Sequence, residues 1–224
     1  MAKRMGAMTV RDRFARLLAG VGAAVGWSAL ALQFFLLARV IAAEGGGVAL
    51  ALWRFLGYFT ILTNVVTAAA MTQTALRYDD RRGPTAPRGE LAVATAIAMV
   101  GLVYTLLLRA TWNPQGLQKL ADIALHDATP VLAAAVFLLR RRPALGLRDA
   151  GFALVMPLGY VAYALARGAA DGWYAYYFLD PRSLSGSQMA LNIAGLAVAF
   201  FVLALALTGL SNLLSRRYRG GTPG

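Results

Sequence analysis

The stretch Gly116 to Pro130, GLQKLADIALHDATP, holds the only histidine of the chain, His126, inside an apolar segment of membrane-spanning length. Asp122 lies one helical turn before the histidine, and Pro130 lies one turn after it. An ionisable side chain at the centre of a bilayer costs at least about 2.5 kcal/mol, so it needs a partner or a function. The stretch therefore predicts a membrane protein with a buried polar site.

The composition of the whole chain indicates the same class. Hydrophobic residues occupy 59% of the 224 positions and charged residues only 14%, as in integral membrane proteins. With no cysteine and one histidine, the usual ligand sets for zinc, copper, haem and iron–sulfur clusters cannot be assembled, so we expect no cofactor. The net charge of +12 comes from short basic clusters beside apolar segments. Their expected partners are membrane lipids and not nucleic acid.

Six apolar segments follow one another along the chain, and we interpret them as six transmembrane helices in a single bundle. They are residues 17–38, 49–76, 91–108, 120–139, 150–166 and 189–214. Because Pro130 has no N–H, we expect the fourth helix to kink beside His126. The predicted fold class is an all-α integral membrane protein without a second domain.

The basic residues are divided unequally between the two sides of such a bundle. The N-terminal tail with Lys3 and Arg4, the 77–90 loop, the 140–149 loop and the C-terminal tail together hold 16 of the 22 lysines and arginines. Cytoplasmic segments carry the excess of these residues in membrane proteins. Both termini are therefore predicted to be cytoplasmic.

The second predicted helix carries a polar face. Thr60, Thr63, Asn64 and Thr67 stand at relative positions 0, 3, 4 and 7, which is the spacing of one side of an α-helix. Such a face is expected to point into the bundle. We expect the hydroxyls of Thr63 and Thr67 to bond the carbonyl oxygen four residues back, as buried threonines commonly do.

The histidine and the first threonine share a depth in this topology. Thr60 and His126 both lie roughly 8 to 9 Å below the outer boundary, at 1.5 Å of rise per residue. Asp122 shares a helix face with His126, where its carboxylate can fix the imidazole tautomer. A hydroxyl from a neighbouring helix would complete a nucleophile, a base and an orienting group. The candidate substrate-binding residues at this level are Arg109, Arg167, Asn64 and Asn192.

The loop from Gly168 to Gln188 is rich in aromatic residues, among them Trp173 and Tyr176. Aromatic rings collect at membrane interfaces. The loop is predicted to lie at the interface, either as a belt or as a lid over the polar site.

Several motifs resemble those of the bacterial Pr6Pr family of six-helix membrane proteins. They are Tyr58-Phe59-Thr60 with Asn64, His126 followed by Pro130, and Gly172-Trp173-Tyr174 leading to Phe178-Leu179-Asp180. The phrases FTILTN, WNPQGLQ and GWYAYYFLD are especially similar, and the similarity runs from the second to the sixth helix. The resemblance implies a multi-pass protein of the bacterial cytoplasmic (inner) membrane.

That family is similar in turn to the androgen-induced membrane proteins of animals, which include the androgen-dependent TFPI-regulating protein. Those proteins are threonine hydrolases that cleave fatty acid esters of hydroxy fatty acids with one threonine and one histidine. By position these residues would be Thr60 and His126. The animal proteins place an acid or amide three residues after the threonine, whereas Asn64 comes four after Thr60, so Thr63 is an alternative nucleophile.

Other functions fit the same residues. An acyltransferase would use the same nucleophile with a different acceptor, and a non-catalytic protein would bind or transport a lipid or small molecule in the polar pocket. The chain has no internal repeat and no glycine-interrupted helix pair, which argues against a secondary transporter. A homo-oligomer would supply the further helices that a transporter needs and that a single chain of six helices lacks.

Overall fold

The computed structural model describes residues 8–110 and 112–219, so that Lys3 and Arg4 of the basic tail lie outside it. The described chain is helical and contains no strand. Six of its helical segments are long and apolar enough to cross a membrane: Val10–Ala43, Phe59–Leu76, Pro87–Leu106, Gly116–Leu139, Leu147–Asp171 and Gly186–Arg216. The prediction of an all-α chain with six helices of spanning length is confirmed.

The described chain forms nine α-helices. They are α1 (Val10–Ala43), α2 (Val48–Phe55), α3 (Phe59–Leu76), α4 (Pro87–Val103), α5 (Gly116–Ile123), α6 (Thr129–Leu139), α7 (Leu147–Phe152), α8 (Val155–Asp171) and α9 (Gly186–Arg219). A π-helical turn at Tyr104–Leu108 continues α4, and a second at Ala124–Ala128 joins α5 to α6.

The first helix begins earlier than residue 17, where the apolar run starts. The Thr9 side chain accepts a hydrogen bond from the Asp12 N–H at 3.3 Å, and the Asp12 carboxylate accepts one from the Thr9 N–H at 3.1 Å. This reciprocal capping box fixes the helix start at Val10. Part of the basic tail is therefore helical.

The second predicted helix, 49–76, is interrupted at residues 56–58 and forms α2 and α3. A β-carbon at Gly57 would lie 2.4 Å from the Trp173 ring, so only glycine allows this close approach. The freed carbonyl of Gly57 accepts a hydrogen bond from the Tyr160 hydroxyl at 2.8 Å, and that of Leu56 accepts one from Tyr163 at 3.1 Å. Two tyrosines of α8 thus stabilise the break.

The structure has a π turn at Ala124–Ala128, at the position where a kink beside His126 was expected. The Thr129 N–H bonds the Ala124 carbonyl, five residues back, immediately before Pro130. The proline cannot donate, and the helix widens by one π turn around the histidine. Single π turns occur frequently at functional sites.

One end of the bundle, which we call the terminal end, gathers the start of α1, the connections at 77–86 and 140–146, and the last part of α9. The Tyr78 hydroxyl donates to Asp12 at 3.1 Å. Asn212 exchanges two hydrogen bonds with the backbone of Leu145, at 3.0 and 2.8 Å. The basic clusters that the sequence assigned to one side therefore share one end, as far as they are described.

The opposite end, which we call the loop end, gathers α2, the aromatic loop and the start of α9. The Trp53 indole donates to Asp171 at 2.7 Å, and the Arg54 guanidinium lies 4.5 Å above the Trp173 ring. The aromatic loop thus packs against the protein at this end.

Small residues fill the contact between α1 and α3. A β-carbon at Gly26 would lie 3.1 Å from the Ala68 methyl group, and Ala68 is fully buried. In helix bundles that lie in lipid, such close backbone approach is a main source of helix association. The contact therefore has no room for a larger side chain.

Replacing Gly26 by leucine is expected to overpack this contact and to lower the free energy of unfolding by about 1–3 kcal/mol. The measurement is the thermal midpoint of the purified protein in detergent. Gly195→Leu is the matched control, because a β-carbon there meets nothing within 4 Å. Equal midpoints for the two variants would contradict the close contact.

Candidate functional site

His126 lies in the π turn and is held on one side by Asp122. Its Nδ1 is 3.2 Å from the Asp122 Oδ1 and 3.0 Å from the Asp122 carbonyl oxygen. Since both neighbours are acceptors, Nδ1 is the ring nitrogen that carries the proton in the neutral imidazole. The spacing of four residues thus places the carboxylate where it orients the ring.

The second ring nitrogen, Nε2, has no hydrogen-bond partner among the described residues, and the histidine side chain is 18% exposed. A histidine whose Nδ1–H faces a carboxylate and whose Nε2 is free has the arrangement of a general base. This arrangement makes His126 the candidate base of the site.

Asp122 is buried, with 6% of its surface exposed. Its Oδ2 accepts a hydrogen bond from the Tyr104 hydroxyl, while Oδ1 faces the histidine. The Tyr104 ring also stacks on the imidazole, with centroids 4.2 Å apart and planes inclined by 18°. The sequence analysis did not predict Tyr104 as a site residue. The one sequence feature that could have indicated it is its position five residues before Arg109.

Arg109 is at the edge of this cluster and forms an ion pair with Asp127. Its guanidinium lies 5.1 Å above the Tyr104 ring. Both side chains are partly exposed, at 48% for Arg109 and 36% for Asp127. The predicted substrate-binding arginine is therefore near His126, but its charge is already paired. Asp127 was also missed, although it adjoins the histidine in sequence.

Asn64 joins α3 to the π turn. Its amide nitrogen donates to the Thr60 carbonyl at 2.9 Å and to the Leu125 carbonyl at 3.4 Å. Its amide oxygen is buried and has no partner among the described residues. The residue thus links two helices and leaves one acceptor free inside the bundle.

Thr60 lies in the first turn of α3 and is half-buried. Its polar neighbour is Tyr176 of the aromatic loop. Burial raises the pKa of the Tyr176 phenol, whereas its hydrogen bonds with Thr60 lower that pKa. No described interaction joins the Thr60 hydroxyl to His126. Asn64 instead bonds the backbone carbonyls of Thr60 and of Leu125, the residue before His126.

The hydroxyls of Thr63 and Thr67 are fully enclosed and have no partner in the described chain. The expectation that they bond the carbonyl four residues back is therefore wrong. Thr72 on the same helix does make that bond, to Ala68 at 2.7 Å. Thr63 remains the alternative nucleophile, and its hydroxyl makes no hydrogen bond to a described residue.

Arg167 and Asn192 lie at the loop end with other partners than His126. Arg167 is buried, donates to the Trp53 carbonyl and stacks 3.9 Å above the Trp53 ring. Asn192 donates to the Phe178 carbonyl at 3.1 Å. These two candidate substrate-binding residues hold the aromatic loop and α2 in place.

No family model, no curated protein and no solved structure matches this chain. The resemblance to the Pr6Pr family stays a prediction.

The tautomer of His126 is directly testable, because a single histidine makes the ¹⁵N spectrum of histidine-labelled protein unambiguous. We expect the Nδ1–H form in the wild type and a smaller excess of that form in Asp122→Asn, which keeps the backbone carbonyl beside Nδ1 but loses the carboxylate charge. Asp127→Asn is the control, since Asp127 pairs with Arg109 and not with the ring. A wild-type spectrum of the Nε2–H form would contradict the assignment.

Proposed function

We propose that the chain is an integral-membrane hydrolase of lipid or fatty-acid esters in which His126 is the general base and Asp122 orients it. The observation that supports this is the pairing of Nδ1 with a buried carboxylate, which leaves Nε2 without a hydrogen-bond partner among the described residues in a side chain that is 18% exposed. The nucleophile in this proposal is Thr60, with Thr63 as the alternative. The proposed substrate-binding residues beside the histidine are Arg109, which lies over Tyr104, and Asn64, which bonds the Leu125 carbonyl.

The proposed setting is the bacterial cytoplasmic membrane with both termini in the cytoplasm. The gathering of basic clusters at the terminal end supports this orientation, because cytoplasmic ends carry the excess of arginine. His126 would then lie in the outer half of the bilayer. A lipid-like ester would reach it from the surrounding membrane.

The chemistry requires the Thr60 hydroxyl to leave Tyr176 and approach Nε2. The threonine oxygen then attacks the ester carbonyl carbon while its proton passes to Nε2. The resulting imidazolium is stabilised by Asp122, and it returns the proton to the alkoxide that leaves. Water, deprotonated by the same nitrogen, releases the acyl group and restores the hydroxyl. Movement of the aromatic loop is therefore part of the proposed cycle.

Reaction with a fluorophosphonate lipid probe tests the proposal. We expect labelling of the wild type, its loss in Thr60→Ala and His126→Ala, and a reduction of about 10²- to 10⁴-fold in labelling rate for Asp122→Asn. Thr72→Val controls for the loss of a threonine hydroxyl on α3 outside the site. Labelling lost in Thr63→Ala but kept in Thr60→Ala would assign the nucleophile to Thr63. Full labelling of correctly folded His126→Ala would reject the hydrolase.

A second candidate function is non-catalytic binding or transport of a lipid or small molecule. It is favoured by the break between α2 and α3, because discontinuous helices form substrate sites in many transporters. Uptake into proteoliposomes that depends on His126, without product formation, would favour this function. Acyl transfer would use the same residues as hydrolysis and would differ only in the acceptor that replaces water.

A further inference from the structure

A groove of about 540 Å³ lies between α1 and an exposed face of α3, near the terminal end. Its lining residues on α3 and the turn that follows recur every three or four positions, so they share one helix face. They include Ala69, Gln73, Leu76, Arg77 and Asp80, and Trp27 of α1 forms the opposite wall. Small-molecule sites in proteins have volumes of about 300–1,000 Å³, so the groove is large enough for a ligand.

The groove changes from apolar to charged along its length. Ala69 lies one turn before Gln73, and Leu76 and Arg77 lie one turn further on, where α3 ends. At 1.5 Å of rise per residue, Ala69 and Arg77 are about 12 Å apart along the helix axis. The whole of α3 is about 27 Å long, close to the hydrocarbon thickness of a bilayer. In a membrane the groove would therefore run from the acyl-chain region to the headgroup region.

Two side chains in the groove carry hydrogen-bond donors that no described residue uses. The exposed Arg77 guanidinium makes no ion pair or hydrogen bond with a described residue, and neither does the Gln73 amide group. Thr72 is different, because its hydroxyl donates to the Ala68 carbonyl at 2.7 Å and accepts from the Trp27 indole at 3.1 Å. The threonine therefore holds Trp27 in place, while the arginine and the glutamine can bind a ligand.

The charges around the end of α3 leave a positive excess. The Arg16 guanidinium donates to the Ala75 carbonyl at 2.7 Å, which is a neutral acceptor and does not cancel its charge. Asp80 supplies the carboxylate in the groove wall, and it lies 3.4 Å from the Arg82 guanidinium. Arg16 and Arg77 are therefore left without a carboxylate partner among the described residues.

We propose that this groove binds one anionic phospholipid, with the phosphate at Arg77 and an acyl chain along Leu76, Trp27 and Ala69. Guanidinium groups bind phosphate oxygens through charge-assisted hydrogen bonds. The Gln73 amide lies one turn deeper, at the level where the ester carbonyls of the lipid would accept its N–H. The side chains of Trp27 and Leu76 are 44% and 72% exposed, so they offer apolar surface to the chain. The positive excess favours an anionic headgroup over a zwitterionic one.

This groove is separate from the proposed catalytic site. Gln73 follows Thr60 by 13 residues on α3, which is about 20 Å along the helix axis. The groove includes no residue that is proposed to act in ester hydrolysis. The lipid site therefore does not depend on that function.

The test is the thermal midpoint of the full chain in detergent, titrated with dioleoyl phosphatidylglycerol. We expect a saturable rise, because a ligand that binds only the folded state stabilises it. Dioleoylglycerol has the same chains without the phosphate and should give no saturable rise at the same concentrations. Arg77→Gln should raise the half-saturating lipid concentration about tenfold, since it removes a hydrogen bond between charged groups. Arg148→Gln is the matched control and should leave it unchanged, because Arg148 is exposed and lies outside the groove.

A second pair of variants separates a lipid from a free anion. Leu76→Gln makes the groove wall polar, and Leu147→Gln makes the same change outside the groove at an equal exposure of 72%. Only Leu76→Gln should raise the half-saturating lipid concentration, by about fivefold, because the acyl chain loses apolar contact there. A rise that inorganic phosphate reproduces would overturn the lipid assignment. Equal lipid responses of Arg77→Gln and Arg148→Gln would also overturn it, since they would indicate attraction to the overall positive charge.

Discussion

The buried carboxylate of Asp122 determines how the helices around the site are arranged. A carboxylate in this position must be paired, and it is paired on both oxygens, by Tyr104 from the end of α4 and by His126 from the π turn. The π turn brings the histidine beside the acid and the tyrosine, and Asn64 then joins α3 to the same turn. One desolvated charge thus fixes the relative positions of three helical segments. That Nε2 has no partner among the described residues is a result of that arrangement.

A second carboxylate, Glu90, acts in the same way at the terminal end. It connects the start of α4 to the connection after α6, and Arg140 and Arg142 extend the link to Thr74 of α3 and Ser211 of α9. Between the two carboxylates, α1 meets α3 through the small residues Gly26 and Ala68. Polar links therefore set the arrangement at both ends, and close packing fills the distance between them.

The sequence was informative where a property depends on neighbouring residues in the chain. Apolar run length predicted the spanning helices, and the four-residue spacing predicted that Asp122 faces His126. It was uninformative where the cause lies far away in sequence. The break at Gly57 depends on Trp173, and the second partner of Asp122 comes from α4. Arg140 and Arg142 were counted only as basic residues of the 140–149 loop, whereas the structure buries both beside Glu90. The pairing of Thr60 with Tyr176 likewise arises from a loop more than a hundred residues away.

The interruption at residues 56–58 also creates a helix terminus in the middle of the polar region. α3 begins at Phe59, no side chain of Tyr58 caps it, and the backbone of Phe59 and Thr60 interacts with the Tyr176 phenol instead. The first N–H groups of a helix carry a partial positive charge of about half an elementary charge in total. An oxyanion that formed beside Thr60 in place of the phenol oxygen would meet that field and those donors. A continuous helix through residues 49–76 would have used the same N–H groups in its own hydrogen bonds.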